Sequence, residues 1–143
     1  MSAESTPRDT TDTPPSSATP VVTTDDMEAS LALYRDVLGL DAMITVPDAA
    51  PYDWAMLGQD ASVLVQLQTR ESVTGDLPDM AGRELDGGVM LFLKVGDVAA
   101  LCDRVEGHAP IRKDLYETFY GTREVATEAP SGVVVVFAED IPQ

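Results

Sequence analysis

The chain has 143 residues, of which 25 are acidic and 9 basic, so its formal net charge is −16. This charge excludes nucleic acid and anionic membranes as expected partners, because both repel a polyanion. Such acidity is also typical of proteins adapted to high salt, where screening weakens self-repulsion. A single cysteine, Cys102, excludes an intrachain disulfide, and no apolar run reaches the length of a membrane span. These features predict a cytoplasmic protein.

The composition divides the chain into a tail and one domain. Residues 1–19 are rich in serine, threonine and proline, and their few apolar side chains predict a flexible tail. A single domain is expected over residues 20–143, which is long enough for a buried core. Its two modules are expected at about 20–69 and 87–139. The linker between them, 70–86, is polar, with a helical turn expected near residues 77–80.

Two segments of the chain repeat one local pattern. In each, a β-rich run ends at an aspartate, Asp26 or Asp97, and apolar residues at helical spacing follow it. The two aspartates are 71 residues apart, and Gly39 or Gly107 follows each helix within reach of its C-terminal cap. Three strand-like runs follow each glycine. The sequence therefore predicts an α+β fold of two tandem βαβββ modules.

The first module begins with a strand at 20–23 and a helix that Asp26 can cap, with Asp25 and Glu28 as an alternative cap. Further strands are predicted at 41–46, 52–57 and 61–68. Trp54 and Met56 share one strand face, where they either complete a core or line an apolar cavity. On the last of these strands, Gln66 lies opposite the apolar face. Its side chain meets either water or a ligand.

The second module combines an apolar strand with an aromatic cluster. Strands are predicted at 87–95, 122–127 and 133–137. The nearly continuous apolar run at 87–95, which contains Met90 and Phe92, predicts burial on both faces. The aromatic residues Tyr116, Phe119 and Tyr120 lie close together in sequence. Either a core or the wall of a binding site would explain them.

For Cys102 and His108, a structural role is favoured over a functional one. Cys102 lies on the apolar stripe of the second helix and is expected to be a small buried side chain. His108 is the only histidine and follows the presumed end of that helix. A solvated position near the helix dipole is expected for it, and not a metal or catalytic role.

Four motifs extend across nearly the whole chain: DMEASLALYRDVLGL (26–40), VGDVAAL (95–101), YGTRE (120–124) and APSG (129–132). On these motifs, residues 20–139 resemble the glyoxalase, bleomycin-resistance and extradiol-dioxygenase superfamily, the vicinal oxygen chelate proteins. The resemblance implies that the two modules pair edge to edge into a cupped half-barrel with the helices outside and the ligand in the cup. It specifies the fold more than the function, since the superfamily includes lyases, epimerases, dioxygenases and drug-sequestering proteins.

The resemblance also implies positions for metal ligands. They fall near Thr19, Gln66, Met90 and Val136, of which only Gln66 could coordinate, and weakly. No metal and no other cofactor is therefore expected. Glu124 is the weak catalytic candidate, because a desolvated glutamate at the cup can be tuned toward neutral pH. A surface role for Glu124 and its neighbour is the alternative.

These features favour a metal-free homodimer that holds an aromatic or amphipathic small molecule in the cup. The side chains expected to line the cup are aromatic, thioether or amide groups: Trp54, Met56, Gln66, Met90, Phe92, Tyr116, Phe119 and Tyr120. Two alternatives remain open. One is a metal-dependent enzyme of the glyoxalase or dioxygenase type with atypical ligands, and the other is an accessory subunit whose cup is filled.

Overall fold

The computed structural model describes Pro15 and residues 17–84 and 89–142. The first module consists of β1 (Val21–Thr24), α1 (Met27–Leu31), β2 (Asp41–Val46), β3 (Trp54–Gln59) and β4 (Ser62–Thr69). Helix α2 (Arg70–Asp76) follows, and the second module consists of β5 (Met90–Lys94), α3 (Val98–Val105), β6 (Ile111–Glu117), β7 (Thr122–Glu128) and β8 (Val134–Asp140). Helix α1 continues as a π-helix over Ala32–Val37, and short 3-10 turns form at Pro78–Met80 and Pro130–Gly132.

Each module folds into a four-stranded sheet with the same topology. The strand orders are β1-β4-β3-β2 and β5-β8-β7-β6. In both sheets the first strand is parallel to the last, and the other neighbours are antiparallel. The predicted α+β fold of two βαβββ modules is therefore confirmed.

The two predicted aspartate caps have the same geometry. Asp26 Oδ1 accepts a hydrogen bond from the amide of Ala29, and Asp97 Oδ1 accepts one from the amide of Ala100, both at 3.0 Å. Each bond satisfies an amide in the first turn of a helix, where no carbonyl of the helix is available to it. Asp26, rather than Asp25, is the N-cap residue of α1. The repeated sequence pattern thus corresponds to the same helix cap in both modules.

One hydrophobic core joins the modules. Alternate side chains on the strands point toward the helices, and Leu57, Leu67, Val135 and Phe137 are all fully buried there together with Val98 of α3. Because strand side chains alternate between faces, the residues between these point away from the helices. We call the sheet surfaces on that side the open face.

The linker begins with a helix that the sequence did not predict. Thr69 caps α2 by accepting a hydrogen bond from the amide of Ser72 at 3.2 Å, and Arg70 forms an ion pair with Asp25 at 2.8 Å. Val73 is the buried residue of this helix. A helix with one buried side chain has no apolar periodicity, so its pattern gives no signal. The turn expected near 77–80 is present as the 3-10 turn Pro78–Met80.

Strand β5 is buried on one face only. Leu91 is 6% exposed, whereas Met90 and Phe92 on the open face are 64% and 50% exposed. The prediction that this strand is buried on both faces is wrong. Its apolar run resembles that of a strand between two helical layers, but helices cover only one face of these sheets.

Some expectations fall on residues outside the described ranges. The predicted tail at 1–19 is described only at Pro15 and 17–19, and the predicted strand at 87–95 includes Gly87 and Gly88, which are not described. Among the described residues, no helix is long and apolar enough to cross a membrane.

The β-bulge between β3 and β4 requires a glycine at position 58. A Cβ atom on Gly58 would overlap the carbonyl oxygen of Ser62 and lie 2.8 Å from Sδ of Met43. We expect Gly58→Ala to lower the free energy of unfolding by about 1–3 kcal/mol, because the backbone must shift. Gly75→Ala is the matched control: a Cβ atom on Gly75 in α2 would have no heavy atom within 4 Å, and a gain of about 0.5–1 kcal/mol is expected there. Urea denaturation of both variants measures the difference, and equal stabilities would contradict it.

Candidate ligand-binding site

The open face carries two polar clusters, one on each sheet. On the first sheet, Trp54 Nε1 donates a hydrogen bond to Gln66 Oε1 at 3.0 Å, and Met56 lies directly opposite Gln66 in the strand register. All three side chains are half-buried. Gln66 therefore has its carbonyl oxygen bonded to the indole, and within the described ranges its amide N–H groups have no acceptor.

The second cluster is built around Glu124 on β7. Its Oε1 accepts a hydrogen bond from the Tyr116 hydroxyl at 3.0 Å, and its Oε2 accepts from the hydroxyls of Tyr120 and Thr122, both at 2.7 Å. Lys113 Nζ lies 3.8 Å from the centre of the Tyr116 ring. Three hydroxyl donors thus converge on one carboxylate.

Glu124 is ionised in this environment. Only 2% of the residue is exposed. Burial acts to raise its pKa, but the hydrogen bonds from Thr122, Tyr120 and Tyr116 and the charge of Lys113 outweigh it, so the pKa lies below its usual value. The expectation that desolvation tunes Glu124 toward neutral pH is therefore wrong. A carboxylate with a lowered pKa is a weak base, so the arrangement favours positioning of the tyrosines over proton abstraction.

The surface interpretation of Glu124 and its neighbour holds only for Arg123. Strand alternation separates the two side chains, and Arg123 Nη2 pairs with Glu117 Oε2 at 3.2 Å, whereas Glu124 is buried. The sequence signals that could have identified the cluster are the two-residue spacing of Thr122 and Glu124 on one strand face and the nearby tyrosines. The pairing of β6 with β7, which places Tyr116 opposite Glu124, has no local signal.

The tyrosine hydroxyls stay protonated as donors. Burial and the hydrogen bond to Glu124 raise the pKa of Tyr116, and the hydrogen bond to Glu124 with burial raises the pKa of Tyr120. Phe119 lies beside Tyr120 in the turn between β6 and β7, with the ring centres 5.2 Å apart in an edge-to-face arrangement. Phe119 is fully exposed. The predicted aromatic cluster is therefore a carboxylate-bound pair of tyrosines with one phenylalanine in solvent.

The remaining predicted side chains, Met90 and Phe92, lie exposed on β5. Val21, Thr23 and Val89 line one cavity, so the β1 edge of the first sheet lies beside the residue that precedes β5. The predicted lining residues thus form two hydrogen-bonded clusters and an exposed apolar pair, Met90 and Phe92. Phe119 lies apart from them in its turn.

The positions implied for metal ligands do not offer a suitable donor set. Val136 lies opposite Phe92, and Met90 lies opposite Val134. Gln66 has its carbonyl oxygen bonded to Trp54. Within the described ranges, no three His, Cys, Asp or Glu side chains come together in a way that could hold a metal ion. Thioether, alkyl and amide groups at these positions do not fit a divalent cation, which prefers imidazole and carboxylate ligands.

Neither Cys102 nor His108 joins these clusters. Cys102 is half-buried on α3, and burial raises the pKa of its thiol, followed by the nearby charges of Glu106, Asp103 and Asp114. His108 is exposed just after α3. The thiol is therefore less reactive than a free cysteine, in keeping with the expected packing role.

Comparisons with known proteins place the fold in a family. The model of the Glyoxalase/Bleomycin resistance protein/Dioxygenase superfamily matches residues 17–137. A glyoxalase-related enzyme from Fulvimarina pelagi is 16% identical, with 87% of each chain covered and a TM-score of 0.71. A family enzyme from Burkholderia phytofirmans PsJN is 19% identical, covering 86% of this chain and 97% of that chain at a TM-score of 0.70.

A lactoylglutathione lyase from Agrobacterium tumefaciens is 21% identical, covering 88% of this chain and 95% of that chain at a TM-score of 0.64. No curated protein sequence matches this chain. At these identities the solved structures support the fold alone, while the family model covers most of the chain. The chain therefore belongs to the Glyoxalase/Bleomycin resistance protein/Dioxygenase superfamily.

Proposed function

We propose that this protein binds an aromatic or amphipathic small molecule on its open face without a metal ion. The observation that carries the proposal is the exposure of Met90 and Phe92, at 64% and 50%, on the open face that also carries the two hydrogen-bonded clusters. Large apolar side chains that cluster on a surface favour a ligand or a partner that covers them.

The chemistry of the open face supports a ligand with an apolar body and a few polar atoms. Burial of the exposed parts of Met90 and Phe92 contributes about 25 cal/mol per Å² of apolar area. Trp54 and Met56 extend the apolar surface, and the free N–H groups of Gln66 would orient an acceptor on the ligand. Small-molecule sites commonly combine an apolar lining with a few such fixed polar groups.

The intrinsic fluorescence of Trp54 provides the test, because it is the only tryptophan in the chain. We expect 8-anilinonaphthalene-1-sulfonate, an amphipathic aromatic probe, to quench Trp54 emission in a saturable way. Phe92→Ala should weaken binding about tenfold through the loss of apolar contact. Leu77→Ala, at an exposed leucine after α2, is the control and should bind like the wild type.

Two results would contradict the proposal. One is Trp54 emission that a panel of aromatic probes leaves unchanged, together with equal affinities for Phe92→Ala and Leu77→Ala. The other is a stoichiometric divalent metal in protein purified without chelators, measured by elemental analysis. The second result would favour the metal-dependent enzyme with ligands at other positions.

The proposal includes a homodimer in the cytoplasm. Ile44 and Val46 on the edge strand β2 are 52% and 50% exposed and lie on one strand face. A second copy would bury this apolar surface and cover the strand edge. We expect analytical ultracentrifugation to give twice the chain mass, and Ile44→Glu to shift the protein to monomer. A wild-type protein that sediments as a monomer at all concentrations would contradict this part of the proposal.

A further inference from the structure

We propose a second binding site, between the two modules, that takes an aliphatic carboxylate. A cavity of about 440 Å³ is lined by both modules. Leu38, Leu40 and Leu64 come from the first module, and Leu93 and Leu101 from the second. The volume lies within the range of small-molecule sites. This proposal is independent of the one for the open face, since the cavity does not include Trp54, Gln66 or Phe92.

The interior of the cavity is apolar. Phe137 is fully buried, Leu101 is 5% exposed and Leu40 is 7% exposed, whereas Leu64 is 38% exposed. One end of the cavity thus lies at the shared core, and the other end, at Leu64, is accessible to solvent. Aliphatic side chains of this kind offer no hydrogen-bond partner, so they fit an alkyl chain better than a polar group.

The solvent end of the cavity carries a guanidinium that is available to an anion. Arg104 on α3 is exposed, and its Nη2 donates a hydrogen bond to the carbonyl of Val37 at 2.9 Å. Among the described residues, it forms no ion pair, although acidic residues are in large excess. A guanidinium has five N–H donors in a planar fork that matches a carboxylate.

The other charged groups lining the cavity already have partners. Lys94 pairs with Asp140, and Asp97 caps α3 through Ala100. Asp103 lines the adjoining cavity that Arg104 also borders, and not this one. Asp97 keeps its negative charge but directs Oδ1 to the Ala100 amide, whereas Arg104 has no carboxylate partner among the described residues. The guanidinium therefore favours a carboxylate over an alkylammonium ion of the same length.

Calorimetric titration with straight-chain monocarboxylates from hexanoate to dodecanoate, below their aggregation concentrations, tests the proposal. Each added methylene that enters the cavity should tighten binding about fourfold. Alkylammonium ions of equal length should bind at least about tenfold more weakly. Affinity that does not change with chain length, or does not distinguish the two head groups, would overturn the assignment.

Matched variants separate this site from the open face. Ala100→Trp fills the cavity, whereas Ala99→Trp adds the same side chain at the neighbouring exposed position that does not line it. We expect the first to abolish binding of decanoate and the second to preserve it. Arg104→Gln should lose the preference for carboxylate over ammonium while keeping the dependence on chain length, and Arg112→Gln should keep both.

Trp54→Phe distinguishes the two proposals. It should bind decanoate with wild-type affinity even if it loses the fluorescent probe's site. Loss of decanoate binding in Trp54→Phe, or equal binding by Ala100→Trp and Ala99→Trp, would overturn the cavity as the site. Failure of the open face to bind the aromatic probe leaves the expected decanoate results unchanged.

Discussion

Phe137→Ala is expected to lower the free energy of unfolding by about 3–5 kcal/mol, the range for phenylalanine truncation in a packed core. Phe137 is fully buried on β8, and its cluster includes side chains from both modules. The truncation leaves a void that the surrounding sheet and helices fill only in part. Because the core is shared, we expect a single cooperative transition that moves to lower denaturant, and not the separate unfolding of one module.

Phe119→Ala is the matched control for this substitution. It removes the same side chain from a position that is fully exposed, so a change within about 0.5 kcal/mol is expected. Guanidinium denaturation followed by far-UV circular dichroism measures both variants. Equal losses for the two variants, or two resolved transitions for Phe137→Ala, would contradict a core common to both modules.

Glu124→Ala is expected to cost about 3 kcal/mol, the size of one to two hydrogen bonds to a charged group. Tyr116, Tyr120 and Thr122 lose their common acceptor. The loss is smaller than three full bonds, because Tyr120 is 56% exposed and its hydroxyl can turn to water. Glu124→Gln retains one oxygen acceptor and should lose less than the alanine variant.

The stability contributed by Glu124 should also depend on pH. Its pKa in the folded protein lies below its usual value, so its contribution is fully present above the unfolded pKa of about 4.3 and is lost as the pH falls through the folded value. The difference in unfolding free energy between wild type and Glu124→Gln should therefore shrink below about pH 4.3. Urea denaturation in a series of buffers from neutral pH to about one unit below that value measures it.

Glu128→Gln is the control for the pH series. Glu128 lies further along the same strand, and its ion pair with Arg112 is largely exposed. An exposed ion pair contributes roughly 0–1 kcal/mol, so this variant should differ little from wild type at each pH. A Glu124→Gln difference that is constant with pH, or that grows in acid, would show that Glu124 is not held as an anion.

The aspartate caps show how much of this fold is local. Asp26 and Asp97 act on amides three residues away, and the apolar spacing that follows each one is a property of a single helix. Such interactions form within one turn of chain. The order of helices and strands in both modules, and hence the fold class, could therefore be predicted from the sequence.

Helix α2 and strand β5 show where local pattern was insufficient. Arg70 at the start of this helix pairs with Asp25, which is 45 residues away. Met90 and Phe92 are exposed because helices pack against only one face of their sheet. Neither contact leaves a periodic signal in its own segment.

The candidate site likewise has features that the sequence predicts and features that depend on long-range packing. Residue order and spacing were enough to predict the repeated βαβββ modules and the residue types on the strands. Long-range packing was needed to make Glu124 a buried anion held by three hydroxyls, to join Gln66 to Trp54, and to open a leucine-lined cavity between the modules. Spacing along the chain records contacts within a helix or strand, whereas these groups meet through strand register and module packing.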